Sequence, residues 1–216
     1  TSYKEYLCKV LQQQIIVRVD ISVNTKIKKA RFPFIATLEA YDFTYQPKID
    51  EKLIRELATL NFLAQAKNII FIGPPGVGKT HLAIAIGMKA VQARKRVIMY
   101  SAEDLVNELM AHEVSNTLPS FLDTTSRIDL LIIDELGYLA LSKQSAALFF
   151  KLISKRYEKT SIIITSNKPF EEWGEIFADD VVAAAILDRL LHHCYPFFIQ
   201  GKSYRLKEMM GKKKEQ

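Results

Sequence analysis

The chain has 216 residues, 49% hydrophobic and 25% charged, with a formal net charge of +6; that is enough for one sizeable core with a small appendage. Only two cysteines occur, Cys8 and Cys194, far apart in sequence, which excludes a disulfide framework and leads us to expect a reducing, cytoplasmic setting. No segment reads as a signal peptide, and no apolar run approaches the roughly 18 residues of a membrane span, so no membrane partner is expected.

The first residue is Thr1, not Met, and we expect the chain to begin inside a longer N-terminal region. Residues 3 to 11 place Tyr3, Tyr6, Leu7, Val10 and Leu11 at helical spacing, whereas "IIVRVDISV" (15–23) alternates like a strand. A basic run, "KIKKAR" (26–31), leads into the irregular, aromatic stretch "FPFIATLEAYDFTYQP" (32–47). A boundary is expected near Pro47. It separates a partial, partly helical N-terminal segment (1–47), a place for DNA or partner contact, from the main domain (48–216). That domain opens with "DEKLIRELATLNFLAQA" (50–66), whose acidic start and apolar Leu53, Ile54, Leu57, Leu60 and Leu63 predict one amphipathic helix.

From there strands and helices alternate. Predicted strands are "NIIFIG" (68–73), "RVIMYS" (96–101), "DLLIID" (129–134), "SIIIT" (161–165) and "PFFIQ" (196–200). Each is short, apolar and rich in β-branched or aromatic residues, as strands buried on both faces are. Predicted helices lie at about 79–93, 102–111, 142–158 and 180–193. This rhythm gives an α/β fold of three layers, with a five-stranded parallel sheet between helices.

The sharpest feature is "FIGPPGVGKTHLAIAIG" (71–87), where Gly and Pro interrupt the chain between a strand and a helix. "GPPGVGKT" fits the phosphate-loop pattern G-x-x-x-x-G-K-[ST] in the strand–helix setting the pattern requires. Gly73, Pro74, Pro75, Gly76, Val77 and Gly78 form a tight loop whose N–H groups can cradle phosphate oxygens, with the start of the following helix behind them. The Lys79 ammonium reaches the β- and γ-phosphates of ATP, and the Thr80 hydroxyl is a ligand for Mg²⁺. His81 belongs to the cradle by position only and is given no chemical role.

"LLIIDELG" puts Asp134 and Glu135 at the end of a buried strand. Asp134 suits the Mg²⁺ shell and Glu135 the polarising of an attacking water, which favours a hydrolase over a small-molecule kinase. Asn167, after "IIITS", is placed to orient that water or touch the γ-phosphate, although Asn is also a common turn residue. "HHC" (192–194) reads as packing or surface, because three consecutive residues cannot all point at one ion from a helix. Trp173 reads as a core anchor.

Several runs, "GPPGVGKTHLA", "DLLIIDELGYL", "LISKRYEKTSIIITSNKPFEEWGEIF", "AAAILDRLLHH" and "GKSYRLK", together with "ARFPFIATLEAYDFTYQPKIDEKLIRELATLNFL", resemble the IstB family of transposition helper ATPases. These are AAA+ P-loop proteins similar to the helicase loader DnaC, and the resemblance covers nearly everything from about residue 30 onward. It implies an ATPase that binds ATP between neighbouring subunits of a homo-oligomer, binds double-stranded DNA without strong sequence preference, and works with a transposase. It implies further that Arg189 is an arginine finger reaching the ATP of the next subunit, and that Arg205 senses nucleotide from the C-terminal side. Guanidinium suits both roles, being always charged and able to fork onto phosphate. By the residues alone, the favoured reading of Arg189 is a helix-surface ion pair with an acid such as Asp188, and that of Arg205 one more charge in a basic tail. "QQQIIVRVDISVNTK" (12–26) is less basic and less helical than the family's N-terminal region. A DnaC-like helicase loader shares all the core motifs, and a nucleotide-gated DNA-binding switch with little hydrolysis is the reading from a different class. "KIKKAR" and the "GKKK" tail are solvated charge or DNA-phosphate contacts.

Overall fold

The computed structural model describes residues 3, 5–10 and 24–205. The strand-like stretch 15–23 and the "GKKK" tail lie outside the described residues. Residues 5–10 are helical, as their spacing predicts, and α1 covers residues 24–29, running into the basic run.

Five apolar runs form five parallel strands: β1 (Asn68–Ile72), β2 (Val97–Ser101), β3 (Leu130–Leu136), β4 (Ser161–Ser166) and β5 (Cys194–Phe198). Their order in the sheet is β2-β3-β4-β1-β5. Every residue of β1 and β4 is buried, because helices cover both faces and leave no side for a polar alternation. The period of two then sorts each strand between two cores. Ile69, Phe71, Ile132 and Ile163 point into one, and Ile70, Ile72, Leu131, Ile133, Ile162 and Ile164 into the other.

The first core is closed by α4 (Lys79–Gln92), which is buried through most of its length. Its outer side is covered by the segment before the sheet, through Ala30, Ala36, Leu38 and Ile49 and through α2 (Glu51–Leu57) and α3 (Asn61–Ala64). The second core is closed by α5 (Ala102–Val114), α6 (Leu118–Ser126), α7 (Lys143–Arg156), α8 (Trp173–Phe177) and α9 (Asp180–Leu191). Trp173 is wholly buried there and donates its indole N–H to the Lys168 carbonyl at 3.3 Å. The three-layer α/β/α arrangement is the one the strand–helix rhythm predicts.

The structure corrects several element boundaries. The single helix expected over 50–66 is two. Asp50 caps the first by accepting from the Leu53 N–H at 3.0 Å, and the chain then turns at Leu60 (φ 70°). The turn lets Leu57 and Phe62 both enter the first core, and that packing outweighs helix propensity. β5 begins two residues before the predicted start, so that Pro196 lies opposite Ile70 within the strand. Proline is tolerated because β5 is an edge with only β1 beside it. The helices α6 and α8 were not expected. The first is short and polar apart from Leu118, Phe121 and Leu122; the second is a single turn that forms to bury Trp173, Ile176 and Phe177.

Candidate functional site

The strand order places the ends of β3, β4 and β1 side by side, and the three predicted motifs all follow those ends. The loop after β1 turns into α4 through Gly78, whose φ of 94° is left-handed. A side chain there would also collide with Tyr41, since a Cβ would lie 2.5 Å from its Cε2 atom. At Gly76 (φ 82°) a Cβ would lie 2.1 Å from Ser203 Oγ. The loop is therefore held between the N-terminal segment and the strap after β5. Tyr41 donates its hydroxyl to the Val77 carbonyl at 3.0 Å, and the Tyr204 N–H donates to the Gly76 carbonyl at 2.9 Å. Burial pushes the Tyr41 phenol pKa up, which keeps it a donor.

Lys79 is 8% exposed and folds back over the loop, donating to the Gly73 and Pro74 carbonyls at 2.7 and 2.9 Å. Burial pulls its pKa below the usual lysine value; Asp134 opposes that, Arg205 adds to it, and Glu135 opposes it. An ammonium in this position gains most from an added negative charge, which a phosphate supplies.

Beside it, the Thr80 hydroxyl donates to Asp134 Oδ1 at 2.9 Å. Thr165, buried in β4, donates to the same oxygen, and its own oxygen accepts the Glu135 N–H at 2.9 Å. Glu135 has a left-handed backbone (φ 62°) that turns its side chain out of the sheet into solvent. A hydroxyl and a carboxylate converging on one point are hard oxygen donors of the kind Mg²⁺ prefers. Asn167 follows β4, and its Oδ1 is buried without a hydrogen-bond partner among the described residues. An orphaned acceptor beside a phosphate loop fits a site that receives a water or ligand donor.

Two clefts meet here. One, of about 750 Å³, runs from Thr80, Asp134 and Glu135 towards Arg31 and Glu108. The other, of about 560 Å³, is lined by the loop, Tyr41, Gln46, Asn167 and Tyr204. Thr80, Glu135 and Arg205 line both. His81 lines the second, where its Nε2 is 2.8 Å from the Thr37 carbonyl. Of the predicted residues, Gly73 and Pro74, whose carbonyls hold Lys79, and Arg189 line neither cleft, and of these only Arg189 lies outside the loop. It lies on α9, donates to the Ala185 carbonyl at 2.9 Å and covers the Phe150 ring at 4.6 Å.

The chain matches the model of the IstB-like ATP binding protein family over residues 1–212. It is 51% identical over 207 residues to the insertion sequence IS21 putative ATP-binding protein of Pseudomonas aeruginosa, covering 96% of this chain and 78% of that relative. A second relative, the IS5376 putative ATP-binding protein of Geobacillus stearothermophilus, is 47% identical, covering 96% and 82% of the two chains. The chain belongs to the IstB-like ATP-binding family. Among solved structures, a crystal structure of the DnaC helicase loader superposes with a TM-score of 0.62 at 24% identity, covering 76% of this chain and 96% of the loader. AMPPCP-bound DnaA from Aquifex aeolicus superposes with a TM-score of 0.67 at 23% identity, covering 86% of this chain and 57% of DnaA. At these identities the likeness is one of fold, and the fold is the AAA+ P-loop domain.

For an IstB-like chain, the site holds three residues that the motifs did not single out. Tyr41 packs on the loop from 36 positions away, and nothing local marks it. Gln46 lines the second cleft from the same segment and donates to the Lys202 carbonyl at 3.1 Å. Thr165 left a trace, as a polar residue ending an apolar strand two positions before Asn167.

Proposed function

We propose that this chain is a Mg²⁺-dependent ATPase that assembles on DNA as a homo-oligomer, with ATP at subunit boundaries, and acts with a transposase. The observation that carries the enzymatic reading is the hydrogen-bonded link Thr80–Asp134–Thr165–Glu135 beside the phosphate loop. In this reading the loop N–H groups and Lys79 bind the phosphates, exchanging the bonds of Lys79 to the loop carbonyls for bonds to phosphate. Thr80 and Asp134 hold Mg²⁺, which when bound neutralises charge on the phosphate oxygens. Thr165 sets the Glu135 backbone, Glu135 takes the proton of the attacking water, and Asn167 orients that water. Arg205, lining both clefts, meets the nucleotide from the C-terminal strap.

The boundary reading is supported by Arg189: a guanidinium on α9, away from its own chain's clefts, is available to a neighbour's. The transposition reading is supported by the relatives, which are insertion-sequence ATP-binding proteins. A replicative loader would share this fold, and the nucleotide-gated switch would share the binding site. Replacing Glu135 with Gln discriminates the enzyme from the switch. For an enzyme, nucleotide affinity stays near wild type while phosphate release falls by about 10²-fold or more. Equal turnover in the two proteins removes Glu135 as the base.

A further inference from the structure

We propose that Glu158, His192 and His193 form a surface site for a zinc-like divalent cation, separate from the nucleotide cleft, that ties the end of α7 to the end of α9. The three side chains come from two places in the chain. Glu158 sits in the turn between α7 and β4, in a left-handed conformation (φ 57°); His192 ends α9, and His193 leads into β5. Two consecutive histidines alone do not surround an ion, but a carboxylate arriving from another element does. Their ligand atoms all lie within 4.8 Å of one another.

The separations favour a metal over direct pairing. His192 Nδ1 and His193 Nε2 stand 3.6 and 3.4 Å from the same oxygen, Glu158 Oε1. Both are longer than an N–H···O hydrogen bond, which ends near 3.2 Å. Tetrahedral ligands at about 2.0–2.1 Å from zinc stand about 3.3–3.4 Å apart, so both contacts are close to the edges of a zinc tetrahedron. The imidazole rings are stacked, with centroids 4.0 Å apart and planes 27° from parallel, and one nitrogen of each lies near the Glu158 carboxylate. All three side chains are about half exposed, which leaves room for water as the fourth ligand. Imidazole nitrogen with one carboxylate suits zinc and its neighbours, and is a poor set for Mg²⁺, which takes oxygen ligands. The Tyr157 hydroxyl holds the same His192 Nδ1 at 2.6 Å; on metal binding that bond is given up and the phenol turns to solvent.

The place gives the cation a consequence. Arg189 is one turn back along α9 and rests on Phe150 of α7, so a metal across the two helix ends fixes the pair that carries this guanidinium. The site itself needs no nucleotide.

The test is a calorimetric titration of zinc chloride into nucleotide-free protein. It is repeated with Glu158→Gln and with the double substitution His192→Asn and His193→Asn. The wild type is expected to take up zinc with micromolar or better affinity and to gain thermal stability from zinc but not from magnesium. Both variants are expected to fold alike without metal and to lose affinity by about tenfold or more. Should the double variant fold poorly, Glu158→Gln serves alone, with Co²⁺ as a second probe whose visible absorption reports nitrogen–oxygen tetrahedral ligation in the wild type. Zinc binding that is unchanged in Glu158→Gln overturns the proposal, as does a wild type that takes up no zinc at these concentrations.

Discussion

Thr165 has one hydroxyl and two partners, and they are the two acids of the site. It donates to Asp134 and accepts from the Glu135 N–H, so the carboxylate beside Thr80 and the backbone that aims Glu135 are joined through a single buried atom. Thr165→Val keeps the volume and removes both bonds. Nucleotide binding is expected to survive while turnover falls about 10–100-fold, and Thr165→Ser is expected to restore most of it. Steady-state kinetics with a parallel binding assay reads the split; equal losses of affinity and rate place Thr165 in folding rather than in positioning. Lys79→Ala belongs to the same scale. Its ammonium is the charge folded into the loop, and charge-assisted bonds contribute about 1.5–3 kcal/mol each, so nucleotide affinity is expected to fall at least tenfold. Unchanged affinity in a nucleotide titration removes the phosphate-loop assignment. Lys79, Thr80, Asp134 and Glu135 were legible in the sequence because each stands in a short local pattern whose chemistry is self-contained. Thr165 and Tyr41 act on groups 31 and 36 positions away, and no local pattern carries such a pairing.

Among the elements, α7 shows how a helix end organises two loops. Arg156 at its C-terminus is wholly buried, and its guanidinium donates to the carbonyls of Thr125, Ile128 and Ser161. Burial pulls its pKa down to about 10, still charged at neutral pH. The residue thereby joins the end of α6 and the approach to β3 to the start of β4. Arg156→Met fills the space but leaves buried carbonyls unpaired, at about 1–3 kcal/mol for each. Chemical denaturation is expected to show a loss of about 3 kcal/mol or more, with the site geometry otherwise intact; a loss under 1 kcal/mol means that water replaces the guanidinium. Element type was readable wherever an apolar run was continuous. The break at Leu60, the shift of β5 and the single turn of α8 were not, because each follows from which side chains the core admits.

At the scale of the whole molecule, the predicted nucleotide-site residues line the clefts or, as Gly73 and Pro74 do, belong to the loop beside them, except Arg189. If Arg189 serves a neighbouring subunit, Arg189→Ala keeps nucleotide binding and slows hydrolysis by about 10³-fold or more, as arginine fingers do. Mixing it with Glu135→Gln protein is then expected to restore part of the activity, since one mixed boundary carries both intact groups. No recovery under conditions of subunit exchange counts against a role in trans. The proposed DNA binding would follow from the same assembly. With a net charge of only +6, a monomer would hold a duplex weakly, and an ATP-held oligomer would repeat its cations. Anisotropy with random-sequence duplexes is expected to show tighter binding with an ATP analogue than with ADP, and a steep loss as salt rises. Equal affinity in both nucleotide states argues against assembly as the cause.

The amino-acid sequence by itself determined the strand–helix alternation, the phosphate loop and the acidic pair, because burial on both faces and phosphate chemistry each impose a residue pattern over a few consecutive positions. The tertiary structure alone decided that β4 stands between β1 and β3, so that Thr165 bridges Asp134 and Glu135, and that Tyr41 and the strap after β5 clamp the loop. It decided as well that Glu158 meets His192 and His193. Such meetings depend on how side chains fill two cores on opposite faces of one sheet, and packing of that kind leaves no period in the sequence to read.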